Sequence, residues 1–166
     1  DKGLMSYCDK NHAKELSKLG YKEKLVYNSL RQSLANAKDF LFSDSEAFLR
    51  YLRSLNKKLV LLSLGDAAFQ REKVYGSGIS EFFDEIIFLG DSKREALREL
   101  LTSKSEENWL FNDKVKEAEL INKEFNDLKI VLKKSPAIPK EEYVSSGFAY
   151  FKTLEEIKKY VQSTIK

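Results

Sequence analysis

Cysteine is nearly absent from this chain: Cys8 stands alone, which excludes an intrachain disulfide and any cysteine-based zinc site. Histidine is as scarce. With only His12, there is no His/Cys metal cluster, and a Ser-His-Asp triad would have no other histidine to draw on. His12 itself reads as a residue on the solvated face of a helix. Long apolar runs are missing too, none nearing the ~20 residues that span a bilayer. Nor does an apolar stretch follow the opening Asp1-Lys2-Gly3, as it would in a signal peptide. A cytoplasmic protein with no membrane partner is the expectation. No sign of charge dominates: 29 basic residues against 26 acidic ones leave +3, and the two are interspersed. A nucleic-acid surface gathers Lys and Arg on one face, so no nucleic-acid partner is expected. The Lys-rich segments instead carry Glu at helical spacing, the pattern of a solvated helix face. There is no internal repeat and no low-complexity tract. At 166 residues, 42% hydrophobic and 33% charged, the chain reads as one globular domain with room for a small insertion.

What is present is organised around Lys58-Leu59-Val60-Leu61-Leu62-Ser63-Leu64-Gly65-Asp66. A short apolar run ending in a hydroxyl residue, a glycine and an aspartate predicts a strand buried on both faces. A helix from Ala67 to Tyr75 follows, with Asp66 as its N-cap. Before it, residues up to Ala37 are helical in character. Gly20 divides them into a hairpin of Lys10–Leu19 and Lys22–Ala37, either a cap or a plain packing layer. Asp39 to Asp44 forms an apolar elbow ending in two capping candidates, and Ser45 to Leu55 is amphipathic, with Phe48, Leu49, Leu52 and Leu55 inward.

Downstream, Glu85–Leu89 predicts a second strand and Lys93–Thr102 a helix. Asn108–Asn112 is a third strand, Lys114 to Phe125 a helix, and Leu128–Leu132 a fourth strand. Ser135 to Pro139 is a loop, Gly147–Phe151 a short edge strand, and Thr153-Leu154-Glu155-Glu156 a capping box that opens the last helix. Alternating strands and helices predict an α/β fold with a doubly wound, Rossmann-like parallel sheet. In such a sheet the strand C-termini share one edge, where ligands bind. Ser63, Lys93 and Asn112-Asp113 fall at three of those ends. A hydroxyl, an ammonium and a carboxylate beside helix N-termini suit a phosphate group and a hard divalent cation.

Leu61-Leu62-Ser63-Leu64-Gly65 resembles the second motif of the haloacid dehalogenase (HAD) superfamily of phosphohydrolases. Lys93 resembles the third motif. Trp109-Leu110-Phe111-Asn112-Asp113, with Glu117 four residues on, resembles the fourth. Phe69 to Lys73, Gly76-Ser77-Gly78-Ile79 and Phe82-Phe83-Asp84 are similar to the stretch between the second and third motifs. The resemblance covers roughly residues 39 to 131 and implies a HAD-like sheet, 39–166, preceded by a small N-terminal helical cap, 1–38. It further implies Ser63, Leu64 and Gly65 at a phosphoryl group, Lys93 neutralising charge, and Mg²⁺ held by Asp113 with Asn112 or Glu117. The implied activity is a Mg²⁺-dependent phosphatase working through an aspartyl-phosphate on a small phosphorylated substrate.

Two departures stand against that pattern. Asn112 replaces the Gly or Asp usual before the motif's aspartate, which removes a charge. The first motif, a strand ending in Asp-x-Asp with the nucleophile first and the general acid/base second, is not seen; Asp1 is either its second aspartate or a residue several positions beyond it, at the entrance to the helical insertion, with the nucleophile expected before residue 1 in both cases. A catalytically silent HAD-like protein binding a phosphorylated ligand or a protein partner is the alternative. A phosphoacceptor receiver domain would need its acceptor strand before the Ser/Thr strand and its lysine ending the following strand, which the order Ser63, Lys93, Asp113 does not provide. Oligomeric state is not legible.

Overall fold

The computed structural model describes residues 9–101 and 107–165. The chain divides into two compact units, Asp1–Ala96 and Leu97–Lys166.

The first unit opens with the expected hairpin, α1 (Asp9–Ser17) and α2 (Glu23–Ala35), turning at Gly20 with φ +91°. A short 3-10 helix, Ala37–Phe40, leads to α3 (Ser45–Ser54), which buries Phe48 and Leu52 as its periodicity predicts. Asp44 takes the N-cap position of α3, but its side chain makes no capping hydrogen bond. Next come β1 (Val60–Leu64), α4 (Ala67–Gly76), a 3-10 turn at Ser80–Phe82 and β2 (Glu85–Leu89); α5 (Lys93–Leu100) carries the boundary between the units. Its predicted end at Thr102 lies outside the described residues.

β1 pairs parallel with β2, from Val60↔Glu85 to Leu64↔Leu89. All five residues of β1 are half-buried rather than buried on both faces as the apolar run predicts. The physical reason is that, among the described residues, β2 is its only hydrogen-bonded neighbour.

α4 fixes the hairpin to this unit. Gly76 packs so closely on α2 that a Cβ there would lie 2.0 Å from the Leu34 carbonyl oxygen. Arg31 of α2 pairs with Glu72 of α4 and reaches the buried Asp9 of α1 at 3.7 Å.

The second unit contains β3 (Trp109–Asn112), α6 (Val115–Asn122), β4 (Lys129–Lys133), α7 (Lys140–Ser146), β5 (Ala149–Phe151) and α8 (Leu154–Thr164). Its parallel sheet has the order β3-β4-β5. With strands on both sides, β4 buries Ile130, Val131 and Leu132, and α8 covers it with Ile157 and Val161. Each such side chain contributes about 1.5–3 kcal/mol by leaving water. The capping box of α8 forms as predicted: Thr153 accepts from the Glu156 N–H, and Glu156 accepts from the Thr153 N–H. These bonds hold the Glu156 carboxyl below its ordinary range, those from the Thr153 and Lys152 N–H groups most. Helix α7, entered from Pro139 and closed by Gly147 at φ +73°, occupies a stretch for which the sequence reading assigned no element. Among the described residues, no helix is long and apolar enough to cross a membrane.

Candidate functional site

In the first unit, the parallel pairing of β1 and β2 brings their C-terminal ends to one edge. The Gly65 N–H donates to the Leu89 carbonyl at 2.8 Å, tying the two ends together. Gly65 has φ +133°, a conformation open to glycine and costly for other residues, and a Cβ there would also meet Gln70 Nε2 at 3.0 Å. Asp66 then caps α4 as predicted, its Oδ1 accepting from the Phe69 N–H at 2.8 Å.

Ser63 is half-buried at the strand end, and its hydroxyl donates to Gln70 Oε1 at 3.0 Å. The sequence reading did not single out Gln70 within the Phe69–Lys73 stretch; its place seven residues after Ser63, one turn into the next helix, is the signal that points to it. Lys93 opens α5 after β2, preceded by Ser92, whose Oγ accepts from the Arg94 N–H at 3.2 Å. Leu64 is the last residue of β1, and Gly65 begins the turn that follows it. Asp1 lies outside the described residues.

In the second unit, β3 ends at Asn112, which is 7% exposed. Its Oδ1 accepts from the Asp113 N–H at 2.9 Å, and its Nδ2 donates to Glu117 Oε2 at 2.7 Å. A backbone N–H requires an acceptor and a carboxylate requires a donor, so only one orientation of the amide satisfies both. Asn112 therefore spends both ends of its amide on the turn and on Glu117. The Asp113 side chain, by contrast, is exposed.

Tyr143 of α7 is fully buried, and its hydroxyl accepts from the Ser135 N–H at 2.8 Å and donates to the Asp113 carbonyl at 3.0 Å. The loops after β3 and β4 are thus joined through one phenol. The sequence reading missed this residue.

Mg²⁺ usually keeps several waters and takes one or two protein carboxylates. Asp113, exposed on a fixed turn, and Glu117, oriented by Asn112, fit that sparse donor set. Among the described residues, no three His, Cys, Asp or Glu side chains converge into a fuller cage.

No protein-family model matches the chain, and no curated protein matches it in sequence. Solved structures do match it in fold. One is a dehalogenase with an intermediate complex, at TM-score 0.67 and 14% identity over 89% of this chain and 68% of that one. Another is a predicted phosphatase from Clostridium acetobutylicum, at 0.62 and 14% over 89% and 74%. A third is the HAD-hydrolase YfnB from Bacillus subtilis, bound to magnesium, at 0.62 and 16% over 92% and 70%. The chain has the HAD-like α/β fold.

Proposed function

We propose that the protein is a phosphohydrolase acting through an aspartyl-phosphate on a small phosphorylated metabolite, with Mg²⁺ as its cation. The observation that carries this reading is the end of β1: a strand-terminal hydroxyl at Ser63, a left-handed Gly65, and α4 beginning behind Asp66. Backbone N–H groups and the helix dipole at such a turn favour an anion. In this reading Ser63 turns its hydroxyl from Gln70 to a phosphoryl oxygen, with the backbone of Leu64 and Gly65 beside it. Lys93 offsets charge on the transferring group, which is where catalysis of phosphoryl transfer mainly lies.

Asp113 and Glu117 would hold the cation, and Asn112 keeps Glu117 and the turn in place. When bound, Mg²⁺ would supply positive charge of the kind that offsets charge in phosphoryl transfer. The nucleophile belongs to a strand outside the described residues, expected just before residue 1 and ending in Asp-x-Asp. Its carboxylate oxygen forms a bond to phosphorus as the ester P–O bond breaks. The second aspartate protonates the leaving oxygen, and water then cleaves the acyl phosphate to release phosphate. The α1–α2 hairpin, within residues 1–38, serves as the cap that selects substrates for the core, 39–166.

The test is hydrolysis of an aryl phosphate by the full-length gene product, with and without Mg²⁺, beside Lys93→Ala and Asp113→Ala. The expected result is Mg²⁺-dependent turnover that falls by about 10²-fold or more in each variant. A folded but inactive wild type would favour a silent protein that binds a phosphorylated ligand or a partner. The amide at Asn112, where the resemblance expects Gly or a carboxylate, is the feature that favours this second reading.

A further inference from the structure

We infer that Tyr143 is a positioning residue for the cation ligand Asp113, an inference that rests on the proposed Mg²⁺ role of that aspartate. The Asp113 carboxylate sits on a short turn between β3 and α6, with its side chain exposed to solvent. An exposed ligand on a loop is useful only where the loop itself is held. Two bonds hold this one from opposite ends of the residue. Asn112 Oδ1 takes the Asp113 N–H at 2.9 Å, and the Tyr143 hydroxyl donates to the Asp113 carbonyl at 3.0 Å.

The phenol can donate only one proton. Its oxygen is also occupied, accepting from the Ser135 N–H at 2.8 Å. The hydroxyl therefore has a fixed direction, and its ring is locked by complete burial and by the Tyr150 ring, whose centroid lies 5.6 Å away. The contact spans 30 residues of sequence and fastens α7 to the β3 turn. Removing the hydroxyl leaves the Asp113 peptide free to rotate while its carboxylate stays intact. Partners that orient a ligand in this way typically control metal affinity by 10–100-fold.

The experiment is Mn²⁺ binding, read by electron paramagnetic resonance of free Mn²⁺, on wild type, Tyr143→Phe, Asp113→Ala, the double variant and Thr153→Ala. The last breaks the α8 capping box without touching Asp113, and so controls for general loosening of this unit. Thermal unfolding of each sample confirms that it is folded. Expected is a loss of about tenfold in affinity for Tyr143→Phe, no further loss on adding it to Asp113→Ala, and wild-type affinity for Thr153→Ala. Equal affinity in wild type and Tyr143→Phe would overturn the positioning role and leave the cation reading standing. So would an equal loss in Thr153→Ala. A wild type that binds no Mn²⁺ would overturn both.

Discussion

Single atoms decide how the helical hairpin meets the rest of its unit. At Gly76 a methyl group would lie 2.0 Å from the Leu34 carbonyl oxygen and 3.0 Å from its carbon, both backbone atoms of α2. Replacing glycine by alanine within a helix ordinarily gains about 1 kcal/mol. Here the clash outweighs that gain, because no side chain can swing away and α2 itself must shift. Gly76→Ala is expected to destabilise the protein by about 1–3 kcal/mol net. Gly90, around which a Cβ would find nothing within 4 Å, supplies the control: Gly90→Ala should stay within about 0.5 kcal/mol. Thermal unfolding of the two variants tests the pair, and a Gly76→Ala protein as stable as wild type would show that α2 does not rest on α4 in this way.

Asp84 acts between elements. One carboxylate oxygen accepts from the Leu59 N–H at 2.8 Å, just before β1, and Arg53 of α3 donates to both oxygens at 2.7 Å. These contacts, the backbone one first, hold its carboxyl below the ordinary carboxylate range. A group whose folded pKa is depressed adds stability above its unfolded value, near pH 4, and loses it as pH falls through the folded value. Glu46 beside Arg50 and Glu156 in the α8 cap are lowered in the same direction. The unfolding midpoint should therefore fall as the pH drops below about 4. Asp84→Asn should be less stable at neutral pH and show a shallower acid decline, with the two glutamates supplying what remains. Identical acid profiles for variant and wild type would remove Asp84 from this role.

Elements are also where sequence reading succeeds and fails here for physical reasons. β2 was legible to the residue because a compact apolar run has no helical alternative of that length. The Asp66 and Thr153 caps were legible because their partners lie three residues away. Helix α7 was not. Lys140-Glu141-Glu142-Tyr143-Val144-Ser145-Ser146 buries only Tyr143 and leaves Val144 60% exposed, so it has no apolar period to detect. The Pro and Gly at its two ends were its only signature. Tyr143 escaped notice, and Gln70 was read only as part of the Phe69–Lys73 stretch, because hydrogen bonds formed in the fold, not local pattern, define what they do.

For the whole molecule, what matters most is which strand edges are covered. Among the described residues, β1 has a strand on one side only, and so does β3 in its own sheet. β1 is built almost wholly from Val and Leu, yet all its residues stay half-exposed, whereas the flanked β4 buries its three central ones. An apolar strand with a bare edge readily takes up another strand, which is what the proposed Asp-x-Asp segment would supply. Residues 1–166 prepared alone are expected to bind a hydrophobic dye. A product extended upstream through such a segment should bind less dye and melt higher, by about 2–4 °C for each kcal/mol gained. Equal dye binding and equal midpoints would mean that the added residues do not complete the sheet. The nucleophile would then have no strand to carry it, and the silent ligand-binding reading would take precedence over the phosphatase.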